Sequence, residues 1–321
     1  MIVDLPDTTT SKISKRLVTV REEGGVVALG RVLTLIIAAA PGEAEEAIEA
    51  ANDASREHPM RVIVVTADAS GDVNRLDAQI RVGGDAGASE VVILRAYGEV
   101  AQDAAGLVTG LLLPDAPVVV WWPGSAPRVV ADSPLGQIAQ RRITDSASAD
   151  DPLSFLARLS ETYQPGDTDL AWTRVTLWRA QLAAVLDQPP YEPVLEAVVQ
   201  GSTDSPSTAL LAAWLQLELG VPVRYATTTP GTVPSGIHGV QLVRTSGVTE
   251  LERSMTNMAT LTQPGQPSHD LSLPRRNLRD CLAEELRSLA PDEAFGRVIT
   301  QGIPALIANT ATGSITLPTK G

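Results

Sequence analysis

The sequence predicts an α/β protein of two domains, and three observations support that prediction. The chain has 321 residues, about twice the usual length of a single domain. In the first half, short β-branched runs alternate with helical patterns, which is typical of a mainly parallel or mixed sheet covered by helices. In the second half, a long helix precedes several short strand-like runs separated by turns. These runs indicate an α+β domain with an antiparallel meander.

The first predicted domain is 1–165, where caps and 3.6-residue spacing identify helices and apolar runs identify strands. The opening helix carries Ile13, Leu17 and Val20 on one face and ends at a pair of glycines. RVLTLIIAAA (31–40) is short and apolar enough for a strand buried on both faces. The predicted helices are 10–23, 42–57, 98–112, 134–140 and 151–163, and the predicted strands are 31–40, 61–68, 76–82, 90–97, 116–122 and 141–147.

The second predicted domain is 166–307, and it begins with a long helix at 169–187 that Asp169 or Asp167 caps. A Ser-Pro pair starts the next helix and a glycine ends it, and its nearly all-apolar body indicates burial. In chain order the remaining predictions are a strand at 193–201, the helix between Ser205 and Gly220, strands within 221–273, helices at 276–290 and 292–300, and a flexible tail at 308–321.

Charge and basic-residue composition exclude several classes of function. The formal net charge is −13, so nucleic acid and anionic membranes would repel the protein. Lysine occurs only at 12, 15 and 320, which excludes a Walker A loop and a Schiff-base lysine from the folded body. Every other basic residue is arginine, an excess that genomic base composition would explain.

Cysteine and histidine are too scarce for most metal or nucleophilic sites. Cys281 is the only cysteine, so no intrachain disulfide forms, and its place on a leucine face predicts a small buried side chain. The three histidines lie far apart without CxxC, HExxH or HxE patterns, so no metal site is predicted. Glu284 and Glu285 are interpreted as solvated helix charges. No catalytic residue and no cofactor are therefore predicted.

The chain lacks the segments that direct a protein to a membrane or out of the cell. Its first ten residues, MIVDLPDTTT, are acidic and contain no apolar signal region. No run of about 18 apolar residues occurs that could span a bilayer. We therefore expect a soluble cytoplasmic protein.

Tryptophan and arginine form the densest candidate site. Trp172 and Arg179 are seven residues apart and share one flank of the predicted helix, beside Trp178 in its apolar stripe. Arg174 borders the other edge of that stripe. Such arginines could bind a partner's carboxylate or a sugar phosphate through their guanidinium forks. The alternative is an interdomain packing helix whose arginines form salt bridges.

Two other places hold candidate residues, and one glycine-rich loop does not. Trp121 and Trp122 end a strand and point to opposite faces, so at most one faces a pocket or partner. His58 follows a helix and precedes Arg61, which opens the next strand; His58 is either a helix C-terminal cation or a phosphate or partner contact. GGDAG at 83–87 lacks GxGxxG spacing and is interpreted as a hairpin turn.

Several segments resemble the OpcA family, the assembly or allosteric-activator subunits of glucose-6-phosphate dehydrogenase, in its actinobacterial form. LPDAPVVVWWPG (113–124) and DLAWTRVTLWR (169–179) are specific in combination. The other similar segments are REEGGVVALGRVLTLII (21–37), HPMR (58–61), STALLAAWL (207–215) and DCLAEELRSL (280–289). The resemblance runs from about residue 10 to 303.

This resemblance implies a protein that binds glucose-6-phosphate dehydrogenase and activates it, in the oxidative pentose phosphate pathway, without transforming glucose 6-phosphate itself. Some photosynthetic members are redox-responsive through cysteines, a role that one cysteine cannot support within a single chain. The alternative is a sugar-phosphate-binding enzyme or sensor that uses arginine for the phosphate. The residues expected to bind the partner are Trp121, Trp122, Trp172, Arg174, Trp178 and Arg179, with His58 and Arg61.

Overall fold

The computed structural model describes residues 1–23, 30–70, 73–83, 90–189, 191–202, 204–228 and 236–312. The chain forms two compact units, each with its own sheet. Unit 1 comprises Met1–Asp145, Gln164–Thr168 and Asn277–Pro291, and unit 2 comprises Ser146–Tyr163, Asp169–Arg276 and the chain from Asp292 onward. The units are discontinuous in sequence, whereas the predicted domains are continuous.

Unit 1 contains an eight-stranded mixed sheet with helices. Its strands are β1 Ile2–Leu5, β2 Leu33–Ala39, β3 Met60–Asp68, β4 Arg75–Val82, β5 Glu90–Tyr97, β6 Val118–Trp122, β7 Arg141–Thr144 and β8 Asp167–Asp169. Its helices include α1 Thr10–Glu23, α2 Glu45–Ala54, α3 Ala104–Thr109, α4 Pro134–Gln137 and, from the distant segment, α9 Leu278–Glu285. The strand order is β1-β4-β5-β3-β2-β6-β7-β8.

The central strands of this sheet are parallel, and one edge is antiparallel. β5, β3, β2, β6 and β7 pair in parallel, whereas β4 pairs antiparallel with both β5 and β1. The sequence prediction of a mixed sheet with a hairpin at 76–97 is confirmed. β2 is buried on both faces as predicted, with Leu35, Ile36 and Ile37 fully buried. The predicted turn at 83–87 lies outside the described residues beyond Gly83.

The predicted helix at 98–112 is wrong in length. A 3-10 turn, Gly98–Gln102, precedes the short helix α3. The carboxylate of Asp103 interrupts the pattern, because it accepts a hydrogen bond of 2.9 Å from the Gly106 N–H and caps a new helix. A residue that caps a helix cannot also continue the preceding one.

Glu285 corrects a second expectation, since it is not a solvated charge. It lies on α9, is only 6% exposed, and its carboxylate is 2.5 Å from the guanidinium of Arg141 on β7. Arg141 also donates a 2.7 Å hydrogen bond to the Ala290 carbonyl. α9 packs against α2 through an apolar face that includes the fully buried Cys281, as predicted.

Unit 2 contains a six-stranded sheet with its own helices. Its strands are β9 Glu196–Ser202, β10 Val223–Thr228, β11 Ile237–Arg244, β12 Gly247–Glu252, β13 Met258–Thr262 and β14 His269–Ser272. Its helices include α5 Pro152–Thr162, α6 Leu170–Arg174, α7 Thr176–Leu186, α8 Pro206–Leu219, α10 Glu293–Arg297 and α11 Ile303–Thr312. The strand order is β10-β9-β11-β12-β13-β14.

Strands β11, β12 and β13 form an antiparallel meander as predicted, β14 extends it without having been predicted, and β10 does not belong to it. β10 pairs in parallel with β9. The reason is α8, which connects β9 to β10 and packs on both, because parallel neighbours need such a crossover. The ends of α8 are as predicted: the Ser205 side chain caps it, and Gly220 ends it in the left-handed conformation at φ +64°.

The predicted helix at 169–187 is two helices. α6 ends and α7 begins at Val175, whose N–H bonds back to the carbonyls of Trp172 and Thr173. Thr173, Val175 and Thr176 are β-branched and lose rotamer freedom in a continuous helix, which favours a break here. Of the two proposed caps, Asp169 is the one that caps α6.

The C-terminal helices also differ from prediction. The predicted helix at 292–300 continues through a π-helical turn, Val298–Gly302, into α11. α11 extends to Thr312, so it includes the first residues of the predicted tail at 308–321. The rest of that tail lies outside the described residues.

Candidate functional site

The strand order of unit 1 places a crossover point between β2 and β6, where doubly wound sheets bind ligands. Counting only the parallel strands in chain order, the arrangement is 3-2-1-4-5, as in dinucleotide-binding folds. The turn from β2 into α2 would therefore meet the pyrophosphate of a dinucleotide. This turn is where a Gly-x-Gly-x-x-Gly sequence would be required.

The residues of that turn do not fit a dinucleotide. Gly42 is its only glycine, and no side chain caps α2 at Ala44. The first turn of α2 carries Glu45 and Glu46, and the Glu43 carboxylate lies 3.8 Å from where a Cβ on Gly124 would stand. The Glu45 carboxylate is paired with Arg81, and those of Glu43 and Glu46 would repel a pyrophosphate at a helix N-terminus that normally attracts one.

The cavity at this edge of unit 1 is also small. Its volume is 140 Å³, against roughly 300–1,000 Å³ for typical small-molecule sites, and Asp68, Arg95 and Tyr97 line part of it. Asp68 accepts hydrogen bonds from the Ser70 hydroxyl and N–H, and these bonds lower the pKa of its carboxyl group. The cavity is therefore smaller than a typical small-molecule site.

Four predicted partner residues of unit 1 have fixed positions within that unit. Trp121 is fully buried in β6 between Ile37 of β2 and Ile143 of β7 in the strand register, and Trp122 is 4% exposed. The buried Arg61 pairs with Glu90 at 2.9 Å and donates to the Leu111 carbonyl. His58 is half-buried, with a ring nitrogen 3.0 Å from the Ala283 carbonyl oxygen. Partner binding by these residues stays a prediction.

The structure places two of the predicted residues of unit 2, Trp172 and Arg179, in direct contact. The Arg179 guanidinium lies 3.7 Å from the centroid of the Trp172 ring, so the two share a flank as predicted. Trp172 is 1% exposed, and its Nε1–H donates to an Asp292 carboxylate oxygen at 2.8 Å. Phe295 packs beside it at 5.9 Å between ring centroids. The stack fixes Arg179 at the half-buried rim of α7.

Trp178, the other predicted tryptophan of unit 2, lines a larger cavity. Trp178 is 3% exposed, and the Arg253 guanidinium lies 5.3 Å from its ring centroid. The cavity measures 580 Å³ and lies wholly within unit 2. We call it the arginine cavity, and its charged lining residues are Arg174, Arg253, Arg275, Arg276, Asp150 and Asp204.

Sequence reasoning found only one of these four arginines, Arg174. Arg253 comes from a predicted strand run, Arg275 from the connection after the strands, and Arg276 from the first position of the predicted helix at 276–290. Arg275 and Arg276 are adjacent after a proline, and that doublet in an acidic chain is the signal that could have pointed to them. Burial, and then the charge of Arg275, lowers the pKa of Arg253 to about 10, as expected where guanidinium groups crowd together.

Neither a metal-binding cluster nor a membrane-spanning helix is found in the described part of the chain. Among the described residues, no group of three or more His, Cys, Asp or Glu side chains could hold a metal ion. No helix within the described ranges is long and apolar enough to cross a membrane.

The fold and the site together define a class of protein. Its members are α/β proteins of two units that have the strand order of a dinucleotide-binding fold, but an acidic turn stands where such a fold has a glycine-rich turn. Two family models match the chain, and both describe a subunit of glucose-6-phosphate dehydrogenase. The model of its N-terminal domain matches residues 51–161, and the model of its C-terminal domain matches residues 165–299. The chain belongs to this family, OpcA, which confirms the resemblance seen in the sequence.

Comparisons with individual proteins add little to the family match. A search of curated proteins finds no match. An oxidoreductase from Sinorhizobium meliloti is similar at 12% identity and a TM-score of 0.47, over 86% of this chain and 95% of that one. A glucose-6-phosphate 1-dehydrogenase from Mycobacterium avium is similar at 11% identity and a TM-score of 0.41, over 86% and 92%. Neither similarity bears on activity.

Proposed function

We propose that this protein is a regulatory subunit, without catalysis of its own, that binds glucose-6-phosphate dehydrogenase and raises its activity. The observation that carries the proposal is the match of two family models, both describing a subunit of that dehydrogenase, over most of the chain. The complex would act in the cytoplasm, within the oxidative pentose phosphate pathway.

The acidic turn after β2 supports the absence of catalysis. A dehydrogenase needs its nicotinamide cofactor held at that turn, and Glu43 and Glu46 oppose a pyrophosphate there. The chain also carries only three histidines and one cysteine, which leaves few candidates for a nucleophile–base pair built on these two residue types. These features favour a partner of an enzyme over an enzyme.

Activation requires a difference in affinity. The regulatory protein must bind the active conformation of the dehydrogenase more tightly than the inactive one, since equal binding would shift no equilibrium. By the same linkage, ligands that favour the active conformation must tighten the complex. Such coupling between sites is typically 1–3 kcal/mol, or about 5- to 150-fold in affinity.

The Trp172–Arg179 stack is the part of the predicted partner surface that best fits this role. Trp and Arg are enriched at interface hot spots, where a rigid arginine loses little freedom on binding. Arg174 and Arg179 are half-buried, whereas Trp172 is buried and would act by positioning Arg179. Each arginine can present a fork to a carboxylate of the dehydrogenase.

Replacing both Arg174 and Arg179 with alanine is expected to weaken the complex at least tenfold, because two charge-assisted contacts are lost. The melting temperature should fall by only a few degrees, since the stack on Trp172 contributes about 0.5–2 kcal/mol. Affinity is measured by calorimetry with the purified dehydrogenase, and melting by circular dichroism.

Arg158→Ala is the matched control, because Arg158 is also half-buried in unit 2 and its guanidinium lies 4.7 Å from the Phe155 ring centroid. It should leave the affinity unchanged. A large fall in melting temperature with intact binding would instead assign the two arginines to packing.

The proposal as a whole is tested by mixing the two purified proteins. Sedimentation velocity should reveal a complex that neither protein forms alone, and glucose 6-phosphate should be oxidised only when the dehydrogenase is present. Turnover of glucose 6-phosphate by the regulatory protein alone would refute the non-catalytic assignment. Absence of a complex at micromolar concentrations would refute the partner.

A further inference from the structure

We propose that the arginine cavity of unit 2 binds a phosphorylated sugar. Four guanidinium groups against two carboxylates make it locally basic in a chain of net charge −13. The proposal does not depend on binding to the dehydrogenase, because all the residues that line the cavity belong to unit 2.

The arginines of the cavity are held in place by the backbone. Arg253 donates through Nη1 to the Thr256 carbonyl at 2.8 Å and to the Leu273 carbonyl at 2.6 Å. Arg276 donates through Nη1 to the Thr173 carbonyl at 3.1 Å. Guanidinium groups that are positioned before a ligand arrives bind an anion with a smaller loss of conformational freedom.

The positive charge of the cavity favours an anionic ligand. Arginine stays protonated in proteins, so like charges that crowd together cannot be relieved by loss of a proton at neutral pH. The Arg253 Nε–H is buried and has no hydrogen-bond partner among the described residues, so one donor of this guanidinium group is unsatisfied. A phosphoryl group supplies several charged acceptors in the geometry that guanidinium forks prefer.

The start of α8 adds to this preference. Ser205, Pro206 and Ser207 line the cavity, and they form the N-terminal end of a helix of 14 residues. Helix N-termini carry partial positive charge and attract phosphate. The arginines of the cavity and the N-terminal end of α8 therefore both favour a phosphate group.

The rest of the cavity indicates what the phosphate is attached to. Its 580 Å³ falls within the range of small-molecule sites and exceeds what a phosphate alone would fill. The carboxylates of Asp150 and Asp204 can accept hydrogen bonds from hydroxyl groups, and they would repel a second phosphate. Trp178 contributes the small exposed part of its aromatic side chain, 3% of the residue, to the lining. A polyhydroxylated monophosphate satisfies all three conditions.

The test is calorimetric titration of the purified full-length protein, alone, with glucose 6-phosphate, glucose and inorganic phosphate. We expect saturable binding of glucose 6-phosphate, about tenfold tighter than inorganic phosphate, and no binding of glucose. The Arg275→Gln variant should weaken binding about tenfold or more, because one charge-assisted contact is lost. Arg275 is exposed, so the variant should fold.

Arg297→Gln is the matched control. Arg297 lies in unit 2, pairs with Glu218 at 2.7 Å and does not line the cavity, so its loss should not change binding. Failure of glucose 6-phosphate to bind at millimolar concentration would overturn the proposal, as would equal affinity in Arg275→Gln and wild type. Equal affinity for inorganic phosphate would overturn the sugar assignment. Because the dehydrogenase is absent, none of these failures bears on the proposed regulatory function.

Discussion

Replacing Glu285 with alanine is expected to lower the free energy of unfolding by about 3–5 kcal/mol. The change leaves the Arg141 guanidinium, 4% exposed, without the carboxylate that lies 2.5 Å away. A buried charge without its counterion keeps the cost of desolvation and loses the compensating attraction. Urea denaturation followed by tryptophan fluorescence measures the change.

Glu284→Ala provides a matched control on the same helix. Glu284 is half-buried next to Glu285, so the same substitution should cost less than about 1 kcal/mol. The double variant Arg141→Met, Glu285→Leu should recover much of the lost stability, because apolar replacements of buried ion pairs are often neutral. Equal effects of Glu284→Ala and Glu285→Ala would contradict the role of the ion pair.

Replacing Asp169 with alanine is the second large expected effect, a loss of about 3 kcal/mol or more. The carboxylate is fully buried and accepts hydrogen bonds from the Ser146 N–H at 2.9 Å, the Ser146 hydroxyl at 2.7 Å and the Ala171 N–H at 2.9 Å. Each buried donor left without an acceptor costs about 1–3 kcal/mol. Asp169 also starts the helix that carries Trp172, so the variant should disturb the stack with Arg179.

An exposed aspartate with the same capping role serves as the comparison. Asp151 caps α5 by accepting from the Ser154 N–H at 3.1 Å and hydroxyl at 2.6 Å. These bonds lower the pKa of its carboxyl group. Because water can replace them, Asp151→Ala should lower the free energy of unfolding much less than Asp169→Ala does in urea denaturation. Equal losses for Asp151→Ala and Asp169→Ala would mean that burial does not matter at position 169.

Local signals in the sequence predicted much of the fold. The Ser205 cap and the Gly220 stop located α8 correctly, since both act through bonds within a few residues. The apolar runs of β2 and β6 were equally informative, because strands buried on both faces leave a continuous apolar pattern. The helix break at Val175 was not predicted, because the apolar spacing continues on both sides of it.

Features that depend on residues far apart in the chain could not be predicted. Glu285 has the sequence context of a surface helix charge, and its partner Arg141 is 144 residues away. The arginine cavity likewise gathers Arg174, Arg253 and Arg275 from three separate segments. By contrast, Trp172 and Arg179 are close in sequence, and the sequence predicted that they share a flank, although their direct contact and the break in the helix between them were not predicted.

The most direct test of the regulatory function is an initial-rate titration of purified glucose-6-phosphate dehydrogenase with this protein. We expect kcat/KM for glucose 6-phosphate to rise and saturate as the regulatory protein is added. The Arg174→Ala, Arg179→Ala variant should be needed at a concentration at least about tenfold higher to reach the same rate. A rate that stays constant up to a saturating concentration of the regulatory protein would contradict the proposed regulatory function.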